Sequence, residues 1–268
     1  MYEVYSNLKS CIEDIERGGS LDAHIALYIL SHHEEVPGLS ISELAAACNT
    51  SPATISRFCR RVNDCDFRSL KDQIEEYNAW LRSEPARNRS HLKIDLPWYF
   101  DMVESSLYET RELMDGELMD RAVDWLLEAN NVYAYGSSFS NLAAQSLCEK
   151  LSRINRLCYS FSTVKGQLAS VGLFGRGDLV VLVTFSGTTR HILDLYNKAK
   201  VRGCKLIWIS SNRSLGEGAQ TTELLIPVST VSIPEYSTAL IEGISIQSAI
   251  NALYICCTNR LRSGDVVR

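Results

Sequence analysis

The sequence predicts an all-α N-terminal domain followed by an α/β domain, in which a parallel sheet is flanked by helices on both faces. Three observations carry this. Before residue 130 the apolar residues recur at helical spacing. After it, short β-branched runs alternate with helical patterns, as parallel βαβ units require. Between the halves lies SEPARNRSHLKIDLP, polar, with two prolines and no apolar periodicity. The expected domains are therefore residues 1–82 and 97–268, joined by a linker at 83–96.

Taken in order, residues 1–19 read as a short amphipathic helix ending at Gly18-Gly19. Ser20 can cap the next helix, LDAHIALYILSHHEEV, whose Leu21, Ile25, Tyr28 and Ile29 share a face before Pro37-Gly38 breaks it. Ser40 or Ser42 caps a short helix, ISELAAACN, with Glu43 favouring its N-terminal end. Asn49-Thr50 makes a turn. Ser51 then Pro52 is an N-cap followed by proline at the first helical position, opening PATISRFCRRV.

Two short helices joined by a tight turn describe a helix-turn-helix, or equally a plain helical hairpin with a solvated arginine face. In the first geometry the start of the second helix enters the major groove. Ile55, Phe58 and Val62 face the core, leaving Ser51, Ala53, Thr54, Ser56, Arg57, Arg60 and Arg61 for DNA. Arg57 is placed for bidentate reading of guanine, while Arg60, Arg61, Arg68 and Lys71 suit phosphates. The whole chain carries a net charge of −5, but Arg57 to Lys71 holds five bases against Asp64 and Asp66. That is a local basic footprint inside an acidic chain.

Residues 67–82 continue as helix, and Trp98 to Asn130 is helical with a break at Asp115-Gly116. The expected strands are Val132–Tyr135, Leu157–Phe161, Leu179–Thr184, Lys205–Ser210 and Glu223–Val228. The helices between and after them are Ser138–Arg153 (Leu142, Leu147 and Leu151 inward), Val164–Leu173, Thr188–Arg202, a short Ser214–Ala219 and the apolar Ser237–Thr258. Apolar residues all around 239–255 favour a dimer, since one helix needs only one buried stripe.

The chemistry gathers where strands end. DLVVLVTFSGTTR is a buried strand that empties into Thr184, Ser186, Gly187, Thr188 and Thr189 ahead of a helix. Gly136-Ser137-Ser138 follows the first strand in the same manner, and Ser210-Ser211-Asn212 follows the fourth. Glycine lets the backbone approach an anion, hydroxyls donate to it, and a helix N-terminus favours its charge. Hydroxyls in such loops also serve as helix caps. No GxxxxGK[ST] or GxGxxG occurs, so neither a P-loop nor a dinucleotide fingerprint is present.

No apolar run approaches the roughly 20 residues of a membrane span. The acidic, mixed start MYEVYSNLKSCIEDIERGG is not a signal peptide. Nine scattered cysteines, without CxxC or zinc spacing, read as reduced, mostly buried thiols of a cytoplasmic protein. No metal or cofactor is expected.

Thr184 to Thr189 resembles the phosphosugar loop of the sugar isomerase (SIS) domain, and Gly136-Ser137-Ser138 its first serine loop. SELAAACNTSPATISRFCRRV resembles the helix-turn-helix of the RpiR family of bacterial transcriptional regulators, which joins such a domain to a SIS domain. The resemblance covers nearly the whole chain. It implies a homodimer or homotetramer that binds operator DNA under control of a phosphorylated sugar, with no membrane partner. By matching positions, Ser138, Ser186 and Thr189 hold the phosphate, with Ser137, Thr184 and Thr188 close by. Phe185 stands where SIS enzymes often have a polar residue, and Glu242-Gly243 where many family members carry Ser-Arg. Glu235 and Glu242 are candidate sugar contacts, or else solvated helix-end charges. The alternative function is an aldose–ketose isomerase, for which His191 and Glu235 are the available acid–base groups. An enzyme would leave the helix-turn-helix unexplained, so no residue is assigned a catalytic role.

Overall fold

The computed structural model describes residues 2–13, 21–63, 65–87, 95–215, 221–233 and 239–263. The chain divides into two compact units, Met1–His91 and Leu92–Arg268.

The first unit is helical: α1 (Tyr2–Glu13), α2 (Leu21–Ser31), α3 (Ile41–Ala47), α4 (Pro52–Asn63) and α5 (Phe67–Arg87). Its core is built from Leu8, Ile25, Ile29, Leu44, Ile55, Phe58, Leu70 and Ile74, all essentially inaccessible to water. α2 ends at Ser31, short of the expected Val36. Pro37 is the reason: it has no N–H to donate four residues back and its ring crowds that carbonyl, so the α-helix cannot continue and the chain tightens into a 3₁₀ turn over Val36–Gly38.

α3 and α4 are joined by an ordered turn. Ser40 is the cap of α3: its hydroxyl accepts from Glu43 N at 3.2 Å, and Glu43 Oε2 accepts from Ser40 N at 2.7 Å. These bonds hold the Glu43 carboxyl below its ordinary value. At the other end Asn49 adopts φ 51°, while Asn49 N donates to Ala46 O at 3.0 Å and Thr50 N to Ala45 O at 2.8 Å. That pattern is a Schellman stop, and asparagine tolerates the left-handed residue it needs. α5 runs to Arg87, so helix occupies the first part of the expected linker.

The second unit opens with α6 (Leu96–Leu113) and α7 (Gly116–Glu128), capped by Asp95 and Asp115. Next come β1 (Val132–Tyr135), α8 (Phe139–Ser152), β2 (Cys158–Tyr159), α9 (Val164–Ser170), β3 (Leu179–Val183), α10 (Arg190–Val201), β4 (Lys205–Ser210), β5 (Glu223–Pro227) and α11 (Glu242–Ser263). Among the described residues five strands form one parallel sheet in the order β2-β1-β3-β4-β5.

Alternation along the strands makes two cores. Val132, Ala134, Val181, Val183, Ile207 and Ile209 face the side covered by α7, α8 and α11. Tyr133, Tyr135, Val180, Leu182, Leu206 and Trp208 face α10 and the residues around α9. β3 is buried along its whole length. Each of its aliphatic side chains contributes about 1.5–3 kcal/mol by leaving water.

Several expectations need correction. Leu142 is 60% exposed, because the inward stripe of α8 is Ala143, Ala144, Leu147 and Leu151, one position further round. β2 has two residues rather than five, since it is an edge strand pairing only with β1. α11 starts at Glu242 instead of Ser237, and its apolar girth is used within the unit, against α6, α7 and α8. The breadth of this helix therefore gives no argument for a dimer. Most of the short helix expected at 214–219 lies outside the described residues. The α8–β2 return brings Cys148 of α8 and Cys158 of β2 side by side, their Cα atoms 4.7 Å apart. Burial pushes the thiols of Cys59 and Cys257 up to about 12, so both are inert at neutral pH.

Candidate functional site

The sheet order places a topological switch point between β1 and β3. The chain leaves β1 toward β2 on one side and leaves β3 toward β4 on the other. The loops after these adjacent strands therefore diverge, and a crevice opens at their carboxyl ends.

The first loop is fixed by close packing. A Cβ on Gly136 would lie 2.4 Å from the carbonyl carbon and oxygen of Ser140, and 2.6 Å from Asn141 N. Only glycine lets β1 turn into α8 at this distance. Ser138 then takes φ 50°, ψ −124°, a backbone state non-glycine residues adopt at a cost of about 1–3 kcal/mol. Strain of that kind clusters at ligand sites.

The second loop folds on its own hydroxyls. Gly187 N donates to Thr184 Oγ1 at 3.2 Å, and Ser186 Oγ lies 2.9 Å from Thr188 Oγ1. Gly187 has φ 72°, and Leu215 and Asn212 would crowd any side chain there. The third loop braces the second. Ser210 and Ser211 both donate to Phe185 O at 2.9 Å, and Asn212 Nδ2 donates to Ser186 O at 3.0 Å.

The capping explanation for these hydroxyls fails at the two positions that matter. Ser138 opens α8 and Thr189 opens α10, yet neither side chain caps its helix. Ser40, Asp95, Asp115 and Thr163 do cap theirs. Two helix N-termini without side-chain caps thus follow neighbouring strands, β1 and β3, at the same edge of the sheet. The hydroxyls of Ser138, Ser186 and Thr188 are exposed there, Ser137 and Thr189 are half-buried, and Thr184 is buried. Arg190, the exposed first residue of α10, adds a cation. It opposes the helix dipole, a sequence-level sign of an anion site that the hydroxyl pattern overshadowed.

A supporting residue lies behind the first loop. Gln167, 1% exposed, donates from Nε2 to Gly136 O at 3.0 Å, Phe161 O at 3.0 Å and Asn141 Oδ1 at 3.1 Å. Nothing in the local pattern marks it. Gln167→Leu is expected to lower the unfolding free energy by about 3 kcal/mol, since it leaves buried carbonyls without their donor. A urea titration checks this, and a change below about 0.5 kcal/mol would make the network dispensable.

Beside the loops is a cavity of about 280 Å³, with Phe139, Phe185 and Glu242 in its wall. Glu242 Oε2 accepts from Ile241 N at 3.2 Å. Glu235 lies outside the described residues. His191 is half-buried at the second residue of α10. Among the described residues no group of three or more His, Cys, Asp or Glu side chains could hold a metal, and no helix is long and apolar enough to cross a membrane.

In the first unit Ile55 and Phe58 are buried and Val62 packs on the same core. Ser51 accepts from Thr54 N at 3.2 Å, and Arg57 donates to Thr54 Oγ1 at 3.4 Å. Ala53, Arg57 and Arg60 share an exposed face of α4, beside the half-buried Thr54 and Ser56. Arg68 is exposed on α5. Arg61 pairs with Asp22 of α2. Lys71 donates to Leu39 O at 2.8 Å and lies over the Phe67 ring, so its ammonium also braces α5.

The rpiR-family helix-turn-helix model matches residues 19–80, and the SIS domain model matches residues 125–258. An uncharacterised HTH-type transcriptional regulator from Caldanaerobacter subterraneus is 28% identical over 257 residues, 92% of this chain and 88% of the relative. HexR, an HTH-type transcriptional regulator from Pseudomonas aeruginosa, is 24% identical over 231 residues, 85% and 80% of the two chains. NanR of Vibrio vulnificus, solved in complex with ManNAc-6P, has a similar fold at 20% identity, with a TM-score of 0.58 and coverage of 96% of this chain and 93% of NanR. With an rpiR-type helix-turn-helix in one unit and a SIS domain in the other, the chain belongs to the RpiR family of transcriptional regulators.

Proposed function

We propose that the chain binds operator DNA through the start of α4 and that a phosphorylated sugar in the β1–β3 crevice sets its operator affinity. The observation that carries the effector half is the pair of helix N-termini without side-chain caps, α8 and α10, facing one crevice between hydroxyl loops. A phosphate ester dianion accepts from Ser138, Ser186 and Thr189, with Ser137, Thr184, Thr188, Gly136 and Gly187 shaping the loops, and it reverses the unfavourable placement of Arg190. The sugar complex of NanR, a protein of similar fold, supports this reading. The site senses rather than catalyses, since an isomerase has no use for a DNA-reading unit. Binding acts as a population shift between states of different operator affinity. Helix-turn-helix heads read half-sites in pairs, so two or four chains are proposed per operator.

The test is a titration of an operator duplex selected in vitro, followed by anisotropy, with a panel of sugar phosphates. At least one is expected to move the midpoint, with a stoichiometry of two or four chains. Ser186→Ala is expected to bind the duplex normally and to need roughly 10- to 100-fold more effector, the loss of one hydrogen bond to a charged group. An unchanged response in this variant would place the effector elsewhere. Turnover of the sugar phosphate by the wild-type chain would overturn the sensor assignment.

A further inference from the structure

The cavity beside the loops has a chemistry of its own. Phe139 directly follows Ser138, and Phe185 directly precedes Ser186, so each hydroxyl loop also contributes an aromatic ring to the cavity wall. Leu142 and Ile246 extend the apolar lining, while Glu242 and Gln247 bring one carboxylate and one amide from the start of α11. The Phe185 ring is not carried on a loose tip. Its own carbonyl accepts from both Ser210 and Ser211, which tie the loop to the end of β4. Gly243, next to Glu242, presents no side chain to narrow the space.

An unmodified hexose phosphate fits this wall badly. Its 2-hydroxyl, turned to this wall, would leave water for phenylalanine, leucine and isoleucine faces and find few partners. A free ammonium would face Glu242 but would shed its hydration against the same apolar surface. A small acylamino group suits both features. Its methyl leaves water against the aromatic rings, and its amide N–H is a donor for the Glu242 carboxylate.

We propose that the effector is an N-acylated amino sugar phosphate, with the acyl group seated between Phe139 and Phe185 and the amide N–H given to Glu242. This rests on the reading of the hydroxyl loops as the phosphate grip and adds the class of sugar they present.

Calorimetric titration of the full chain tests it with three probes, each in gluco and manno form: the hexose 6-phosphate, the 2-amino-2-deoxyhexose 6-phosphate and its N-acetyl derivative. The N-acetyl compound is expected to bind about tenfold or more tighter than the hexose phosphate, as a filled apolar subsite provides. Phe139→Ala, at a partly exposed position that tolerates truncation, is expected to lose most of that preference while still binding a sugar phosphate. Phe185→Ala should do the same. If the hexose or free-amine phosphate binds as tightly as the N-acetyl compound, the acyl subsite is wrong and the phosphate grip stands. If none of the six compounds binds, the acyl subsite is wrong and hexose 6-phosphates are excluded as the effector class.

Discussion

Gly136→Ala is expected to lower the unfolding free energy by about 3 kcal/mol, as overpacking into rigid surroundings does. For a unit of this size that corresponds to a fall in melting temperature of about 6–12 °C. The atoms a new Cβ would meet are the carbonyl group of Ser140 and the amide of Asn141, 2.4 to 2.6 Å away. They belong to the first turn of α8 and cannot rotate aside. The loop cannot retreat either, because Gln167 holds Gly136 O from behind. Relief requires α8 to move off β1, which carries Ser138 away from Ser186, so effector binding should weaken in the same variant. Gly116→Ala is the control, since a Cβ there meets nothing within 4 Å. Coincident melting curves for Gly136→Ala and the wild type would show that the first loop is not held as described.

Arg57→Ala is expected to weaken operator binding by about 1–3 kcal/mol and to relax selectivity at one base pair, while leaving sugar-phosphate binding unchanged. Arg57 stands on the exposed face of α4 between Ala53 and Arg60, six residues beyond the Ser51 cap. Lys71→Ala is a useful contrast. Its ammonium already serves Leu39 O, so its removal should reduce stability more than operator affinity. Equal operator selectivity for wild type and Arg57→Ala in a competition binding assay would remove Arg57 from base reading.

Much of this was legible in the sequence because parallel strands buried on both faces leave unbroken apolar runs. β1 and β4 fall where the runs VYAY and KLIWIS predict them. The proline after Ser51 and the Ser40–Glu43 pair marked helix starts by purely local chemistry, and the structure uses both. What was hidden depends on contacts between distant segments. The bonds from Gln167 to Gly136 and Asn141 span 31 and 26 residues, and no local pattern announces them. β2 was overextended because Leu157 looks like core, yet lies on the sheet edge, 69% exposed. Leu142 was misplaced by one helical position. That error concealed the apolar cavity, whose wall it forms. The hydroxyl loops were visible as composition. That they leave their helices uncapped is a property of backbone geometry alone.

The most direct measurement is a crystal structure of the chain with the tightest-binding sugar phosphate of the panel. The account predicts phosphate density at the N-termini of α8 and α10, within hydrogen-bond distance of the Ser138, Ser186 and Thr189 hydroxyls. Density for the phosphate at any other site, with the β1–β3 crevice occupied by solvent, would contradict it.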